Sequence, residues 1–206
     1  MHTTSRTTRL AGIAAVAASL LVLSACGGAS TITAGAGTPS SGASAVAGID
    51  AEYNDADIAF ITDMKPHHEG AIMMAGLAET RAESAEVKEL ASRIVDAQDP
   101  EIEMMNKMAM AWGVDLESGG DHDMSAMGES PMAGTDEGAA ALEMLSGAEF
   151  DREFLTMMTV HHEAAVEMAK TELSDGMNPQ AKQMASDIIA SQTAEIAEMQ
   201  RLLAAL

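Results

Sequence analysis

The sequence predicts an all-α fold, a ferritin-like antiparallel four-helix bundle made of two repeated helical hairpins. Composition is the first observation: 47% of the 206 residues are hydrophobic but only 2% are aromatic. The core must therefore be built from Ala, Met, Leu and Ile, which favour helices over sheets. The second observation is an internal repeat, and the third is the helical spacing of apolar residues within each copy.

Residues 1–25 are predicted to be a lipoprotein signal peptide. Arg6 and Arg9 precede an apolar run that is too short and too rich in Ala to predict a membrane span. The run ends in Leu-Ser-Ala before Cys26, which resembles the lipobox in which the cysteine carries the lipid; an ordinary secretory cleavage site is the alternative. Residues 26–48 carry no charge and consist mainly of Gly, Ala, Ser and Thr, so we expect a flexible tether.

One motif occurs twice in the predicted domain, residues 49–206. The pattern Phe-x-x-x-Met-x-x-His-His-Glu-x-Ala-x-x-Met-Ala begins at Phe60 and again at Phe154. Each copy holds two helical stretches separated by a turn, and two such hairpins bury their apolar stripes most simply against each other. The repeats are predicted at 55–112 and 149–206, with a Gly-rich acidic loop at 118–138 between them.

The turns have recognisable residues. Ser84 is placed to cap the second helix, and Gly176 and Asn178-Pro179 end one helix and begin the next. The helices are expected from Asp55 to about Thr80, from Ser84 to about Trp112, from about Glu149 to Leu173, and from Pro179 to Leu206.

Two prolines fall inside helical patterns. Pro66 is expected to kink the first helix beside the paired histidines. Pro100 permits either a kink or a new helix capped by Asp99. We prefer the kink, because the second copy has no break at Thr193.

Paired histidines are the candidate metal ligands. His67 lies in the apolar register of its helix, whereas His68 lies about 100° further round, on the flank. Glu101 falls in the apolar register of the next helix, and a His and a Glu from each hairpin are expected to meet across the pseudo-twofold axis. Met64 precedes the pair by one turn, and imidazole with thioether suits copper. The predicted ligands are Met64, His67, His68 and Glu101, and in the second copy Met158, His161, His162 and Glu195.

A second cluster of soft ligands lies in the loop between the copies. His122, Met124 and Met127 are expected to act as an accessory capture loop.

Other functions are weighed against copper. The histidines could serve packing alone, as in a structural or protein-binding lipoprotein. A ferritin-like di-iron oxidase would use Glu-x-x-His pairs, whereas this chain has His-His-Glu and Gln-x-x-Glu. No nucleophile motif or phosphate-binding glycine loop occurs, so enzymatic activity is not predicted.

The formal net charge is −21. Such a charge argues against nucleic acid and anionic lipid as partners and favours cations. We expect a metal ion as the partner, copper as Cu(I), with iron or zinc as alternatives, and a metallochaperone or an exporter as a possible protein partner.

The doubled His-His motif resembles the bacterial secreted family called domain of unknown function 305. This resemblance covers about residues 50–206 and implies a ferritin-like four-helix bundle. The family includes a periplasmic copper-binding protein, which implies copper buffering, resistance or transfer outside the cytoplasmic membrane. By position, the resemblance applies to Met64, His67, His68, Met158, His161 and His162; Val160 departs from the first copy, which has Pro66.

Overall fold

The computed structural model describes residues 48–116 and 136–206. This part of the chain contains five helices and no β-strand. The predicted signal peptide, Cys26, all but the last residue of the tether, and the predicted ligands His122, Met124 and Met127 lie outside these ranges. The helices are α1 (Asp55–Arg81), α2 (Ala85–Trp112), α3 (Asp136–Glu143), α4 (Gly147–Asp175) and α5 (Pro179–Leu203).

The predicted all-α bundle is confirmed, with one short additional helix. The four long helices begin and end within about three residues of the predicted bounds, as helix-end signals allow. Helix α3 was not predicted, because its eight residues were assigned partly to the loop between the copies. Leu142 is fully buried in it and joins the apolar cluster that contains Phe150.

The predicted capping residues begin their helices. The Ser84 side chain accepts a hydrogen bond from the Val87 N–H, and Asn178 accepts from the N–H groups of Gln180 and Ala181. These contacts satisfy backbone donors that a helix leaves unpaired at its first turn.

Both internal prolines are accommodated without ending a helix. Helix α1 includes Pro66, and α2 runs from Ala85 to Trp112 through Pro100. The alternative in which Asp99 caps a new helix is therefore wrong.

Two aspartates tie the copies together reciprocally. Asp57 of α1 accepts hydrogen bonds from the backbone N–H of Met177 and Asn178, at the start of α5. The equivalent Asp151 of α4 accepts from Glu83 and Ser84, at the start of α2. Each copy's first helix thus caps the second helix of the other copy.

The helices α1 and α4 pack side by side in opposite directions. The beginning of α1 meets the end of α4, where the Asn54 side chain donates to the carbonyl of Asp175 at 2.8 Å. The buried side chains of the bundle form two apolar clusters. One lies around Phe154, Leu90 and Ile94, and the other lies around Phe60, Met105 and Ile188. Among the described helices, none is both long enough and apolar enough to cross a membrane.

Candidate metal centre

The two histidine pairs converge inside the bundle. The rings of His67 and His161 lie 3.6 Å apart between centroids, tilted by 37°. Both side chains are buried. The apolar registers of α1 and α4 face each other, which is why residues at equivalent positions of the two copies meet at the pseudo-twofold axis.

The second histidine of each pair binds a glutamate. The His68 Nε2 and Glu101 Oε2 atoms are 2.7 Å apart, and the His162 Nε2 and Glu195 Oε2 atoms are 2.8 Å apart. Each His–Glu contact stays within one hairpin. The expected pairing of His and Glu across the axis is therefore wrong, because the glutamates lie beside the flank of α1 and α4 and not beside the α1–α4 seam.

His68 and His162 are also more deeply buried than their flanking position predicts. Both are fully buried. Helices α2 and α5 cover these flanks, and the carboxylates of Glu101 and Glu195 remain partly exposed, at 21% and 16% of their side-chain area. The glutamates therefore connect the buried histidines to solvent.

The histidines form a polar layer between the two apolar clusters. Met64, one turn before the histidines of α1, belongs to the cluster around Phe60. Met158, one turn before those of α4, belongs to the cluster around Phe154. Since α1 and α4 are antiparallel, one buried thioether lies on each side of the imidazole layer.

Several polar atoms of this layer lack partners. Within the described part of the chain, neither ring nitrogen of His67 or His161 has a hydrogen-bond partner, and the same is true of Nδ1 of His68 and His162. Buried polar atoms without partners are rare and costly. A bound metal ion would satisfy lone pairs that the protein leaves free, so these residues fit a soft metal.

Two amides share the layer. Gln98 is buried with its whole amide unpartnered among the described residues, and the Gln192 side-chain oxygen is in the same state. Both were visible in the sequence as polar residues in an apolar register, but they were not counted among the predicted ligands.

The environment keeps the stacked rings neutral. Burial lowers the pKa of His67 well below its usual range, and repulsion from His161, His68 and His162 adds to this effect. Burial likewise lowers the pKa of His161 to about 3, assisted by His162 and His68. The His67 backbone raises the pKa of His161 and so partly counteracts this lowering, although the two groups do not form a hydrogen bond. Neutral imidazole is the form that binds metals.

Nitrogen and oxygen ligands alone do not complete a site. In residues 48–116 and 136–206, no group of three or more His, Cys, Asp and Glu side chains is arranged to hold a metal ion. The buried thioethers of Met64 and Met158, one turn from these histidines, are candidates for further ligands to a metal held by His67 and His161. This combination is soft and suits copper in its reduced state.

The fold and this layer define a class: an all-helical bundle of two pseudo-symmetric hairpins with imidazoles buried at their junction. The chain belongs to the DUF305 family of unknown function, whose sequence profile matches residues 57–203. No curated protein matches the sequence significantly.

Solved structures with a similar fold include DUF305 proteins and CopM. A candidate secreted DUF305 protein from Streptomyces coelicolor is 33% identical with a TM-score of 0.65, over 72% of this chain and 92% of that one. CopM in its Cu(II)-bound form is 36% identical with a TM-score of 0.60, over 71% of this chain and 95% of CopM. CopM in its Cu(I)-bound form is 34% identical with a TM-score of 0.57, over 71% of this chain and 94% of CopM.

Proposed function

We propose that this protein binds copper outside the cytoplasmic membrane, as Cu(I), and buffers it or passes it on. Met64, His67, His68, Met158, His161 and His162 are the proposed ligands, with Glu101 and Glu195 holding the outer histidines. The single observation that carries the proposal is the buried contact between His67 and His161, whose four ring nitrogens have no hydrogen-bond partner among the described residues.

The chemistry of the layer favours a soft ion. Neutral imidazoles beside thioethers bind Cu(I) better than hard cations, which prefer oxygen ligands. The glutamates bonded to His68 and His162 orient those rings, as second-shell carboxylates do in many metal sites. Similarity to CopM, which has been solved with Cu(I) and Cu(II), agrees with this choice.

The location and partners belong to the same proposal. Export and a lipid anchor at Cys26 would place the bundle at the outer face of the cell membrane. His122, Met124 and Met127 would capture metal before it reaches the buried layer. A metallochaperone or an exporter would be the protein that exchanges copper with it.

The test is a titration of metal-free protein with Cu(I) against a chromophoric chelator. The wild-type chain is expected to remove copper from the chelator. The double variant His67→Gln/His161→Gln keeps polar side chains of similar volume but removes both stacked imidazoles, and it is expected to lose most of this uptake. Uptake equal to that of the wild type would refute the proposed ligands.

A matched control comes from the same layer. Gln98→Leu/Gln192→Leu removes the unpartnered Gln98 amide and the unpartnered Gln192 side-chain oxygen without touching an imidazole. This variant is expected to keep copper uptake. A loss of uptake in it would mean that the packing of the layer, and not the imidazoles, decides binding.

A second candidate is a structural role for the histidines. The His68–Glu101 and His162–Glu195 contacts favour it, because hydrogen-bonded His–Glu pairs can hold a hairpin in register without a metal. It predicts that Cu(I) leaves the melting temperature unchanged. The di-iron alternative has less support, since the described residues lack the group of His and carboxylate ligands that such a centre needs.

A further inference from the structure

A groove opens on the bundle between α2 and α5. Its volume is about 290 Å³. Pro100, Glu101 and Met104 of α2 form one wall, and Met184 and Asp187 of α5 stand opposite. Helix α2 contains Pro100 at this position, so one backbone N–H is missing there.

The groove reaches the histidine layer through one side chain. Glu101 lines the groove, and its Oε2 atom is 2.7 Å from Nε2 of the fully buried His68. Its side chain is 21% exposed. Glu101 therefore has solvent on one side and the buried imidazole on the other.

The lining has the chemistry of a soft-cation site. Met104 and Met184 bring two thioethers, and Glu101 and Asp187 bring two carboxylates. Thioethers select soft metals such as Cu(I) and Ag(I), and the carboxylates draw a cation towards them. Met184 is buried, so its sulfur is held on a packed helix face.

The repeat supplies an internal comparison. In the other half of the α2–α5 seam, Glu198 stands where Met104 stands here, and Arg93 stands where Asp187 stands. The Arg93 Nη2 atom donates to both oxygens of Glu198 at 2.7 Å. That ion pair bridges α5 and α2 beside Glu195. The two halves thus differ at the positions that would close or open a path to the layer.

Resting on the copper role proposed above, we propose that this groove is the mouth through which a soft monovalent cation reaches the histidine layer. Met104 and Met184 bind the cation first, Asp187 and Glu101 attract it, and Glu101 passes it to His68. Uptake is faster on this side, because the Arg93–Glu198 pair spans the equivalent position of the other copy.

The first test transplants the closing pair into the groove. Asp187→Arg/Met104→Glu recreates in this half the two residues that bridge the helices in the other half. The rate of Cu(I) transfer from a chromophoric chelator is measured by stopped flow, without oxygen. We expect the transfer to be about tenfold slower or more, because the variant reduces the local negative charge and its ion pair blocks the path. The final amount of copper bound should be unchanged.

A second variant keeps the test meaningful if the first one misfolds. Met104→Leu/Met184→Leu removes both thioethers while keeping apolar volume, so folding should be preserved. It is expected to slow transfer as well. The matched control is Met73→Leu/Met110→Leu, which removes two exposed thioethers that do not line the groove and should leave the rate unchanged. Ag(I), which needs no protection from oxygen, should show the same order of rates.

The outcomes separate this inference from the proposed function. If the wild type takes up no Cu(I), the proposed function fails and the mouth fails with it. If the wild type takes up Cu(I) and folded groove variants do so within about twofold of its rate, the mouth alone is refuted. Slow uptake in both groove variants, with a normal rate in the control, supports it.

Discussion

At the scale of single residues, register predicted the burial of His67 but not which partner each side chain meets. It did not predict that His68 is fully buried or that Glu101 is partly exposed. The 100° step from His67 to His68 turns the side chain from the α4 neighbour to the α2 neighbour, and a periodicity does not say which helix stands on which flank. The His68–Glu101 contact within one hairpin therefore needed the structure.

A buried pair of acids escaped prediction entirely. Glu172 occupies in the second copy the position of Ala78 in the first, and it lies against Asp57. Burial raises the pKa of Glu172 to about 8, assisted by the contact with Asp57, while Lys182 opposes the rise. Burial alone would also raise the pKa of Asp57, but hydrogen bonds from the backbone N–H groups of Asn54, Asn178 and Met177, together with the neighbouring Glu172 carboxyl group, lower it.

The raised pKa of Glu172 makes stability depend on pH. In the unfolded chain Glu172 loses its proton near 4.5, and in the native protein near 8. The native state therefore holds a proton that the unfolded state lacks, and stability falls as pH rises through this window, by at most about 1.4 kcal/mol per pH unit. Glu172→Gln cannot ionise, so we expect it to remove this fall, measured by urea unfolding between about pH 6.5 and about pH 8. The same slope in the variant would contradict the raised pKa of Glu172.

At the scale of helices, local sequence signals predicted where each helix begins and ends. They did not predict which helices contact each other. Ser84 and Asn178 were predicted as helix starts because their side chains cap the backbone. Asp57 and Asp151 were only aligned residues in the sequence. Their role depends on α1 and α4 reaching the far hairpin, which no local pattern contains.

The end of α4 shows how the copies have diverged. Gly176 ends α4, and a Cβ atom at this position would collide with the Glu172 carboxyl group. In the first copy Ala82 ends α1 in a similar conformation, with Ala78 in the place of Glu172. We expect Gly176→Ala to destabilise the protein by about 1–3 kcal/mol. Glu172→Ala/Gly176→Ala, which restores the pair found in the first copy, should recover much of this loss.

The measurement for this prediction is urea unfolding at one pH. A Cβ atom at Gly176 would also approach the Glu172 carbonyl oxygen to 2.6 Å, so complete recovery is not expected. If the double variant is no more stable than Gly176→Ala, the contact with the Glu172 carbonyl oxygen, and not the contact with its carboxyl group, requires glycine at this position.

At the scale of the whole molecule, the sequence was sufficient for the bundle. The repeat, the Ala- and Met-rich composition and the apolar stripes each favoured the same fold, and such agreement between levels is typical of sequences that specify one structure. Helix α3 was missed because eight residues without a strong apolar period resemble a loop. The sequence also did not predict which half of the seam between α2 and α5 contains the groove, because the groove depends on how closely the two helices approach.

Without metal, the stability of the molecule should peak near neutral pH. Below about 6.5 the unfolded chain protonates His67 and His161, which the native core keeps neutral, so stability falls as pH decreases towards about 3. Above about 6.5 only the Glu172 effect remains, with the opposite sign. His67→Gln/His161→Gln should reverse the acid side, because only the Glu172 effect then acts and stability rises as pH falls from about 6.5 to about 4.5, measured by urea unfolding of metal-free protein. Gln98→Leu/Gln192→Leu should keep the wild-type slope.

The reciprocal contacts of Asp57 and Asp151 bear on how such a chain can arise. Each hairpin supplies its neighbour with the same contact that it receives, as the two subunits of a symmetric dimer do. A single hairpin carrying this aspartate could associate with a second copy of itself, and gene duplication would then join the pair into one polypeptide. Once joined, the halves no longer had to remain identical, which left one free to acquire Glu172 and the other to acquire Pro100 and Met104.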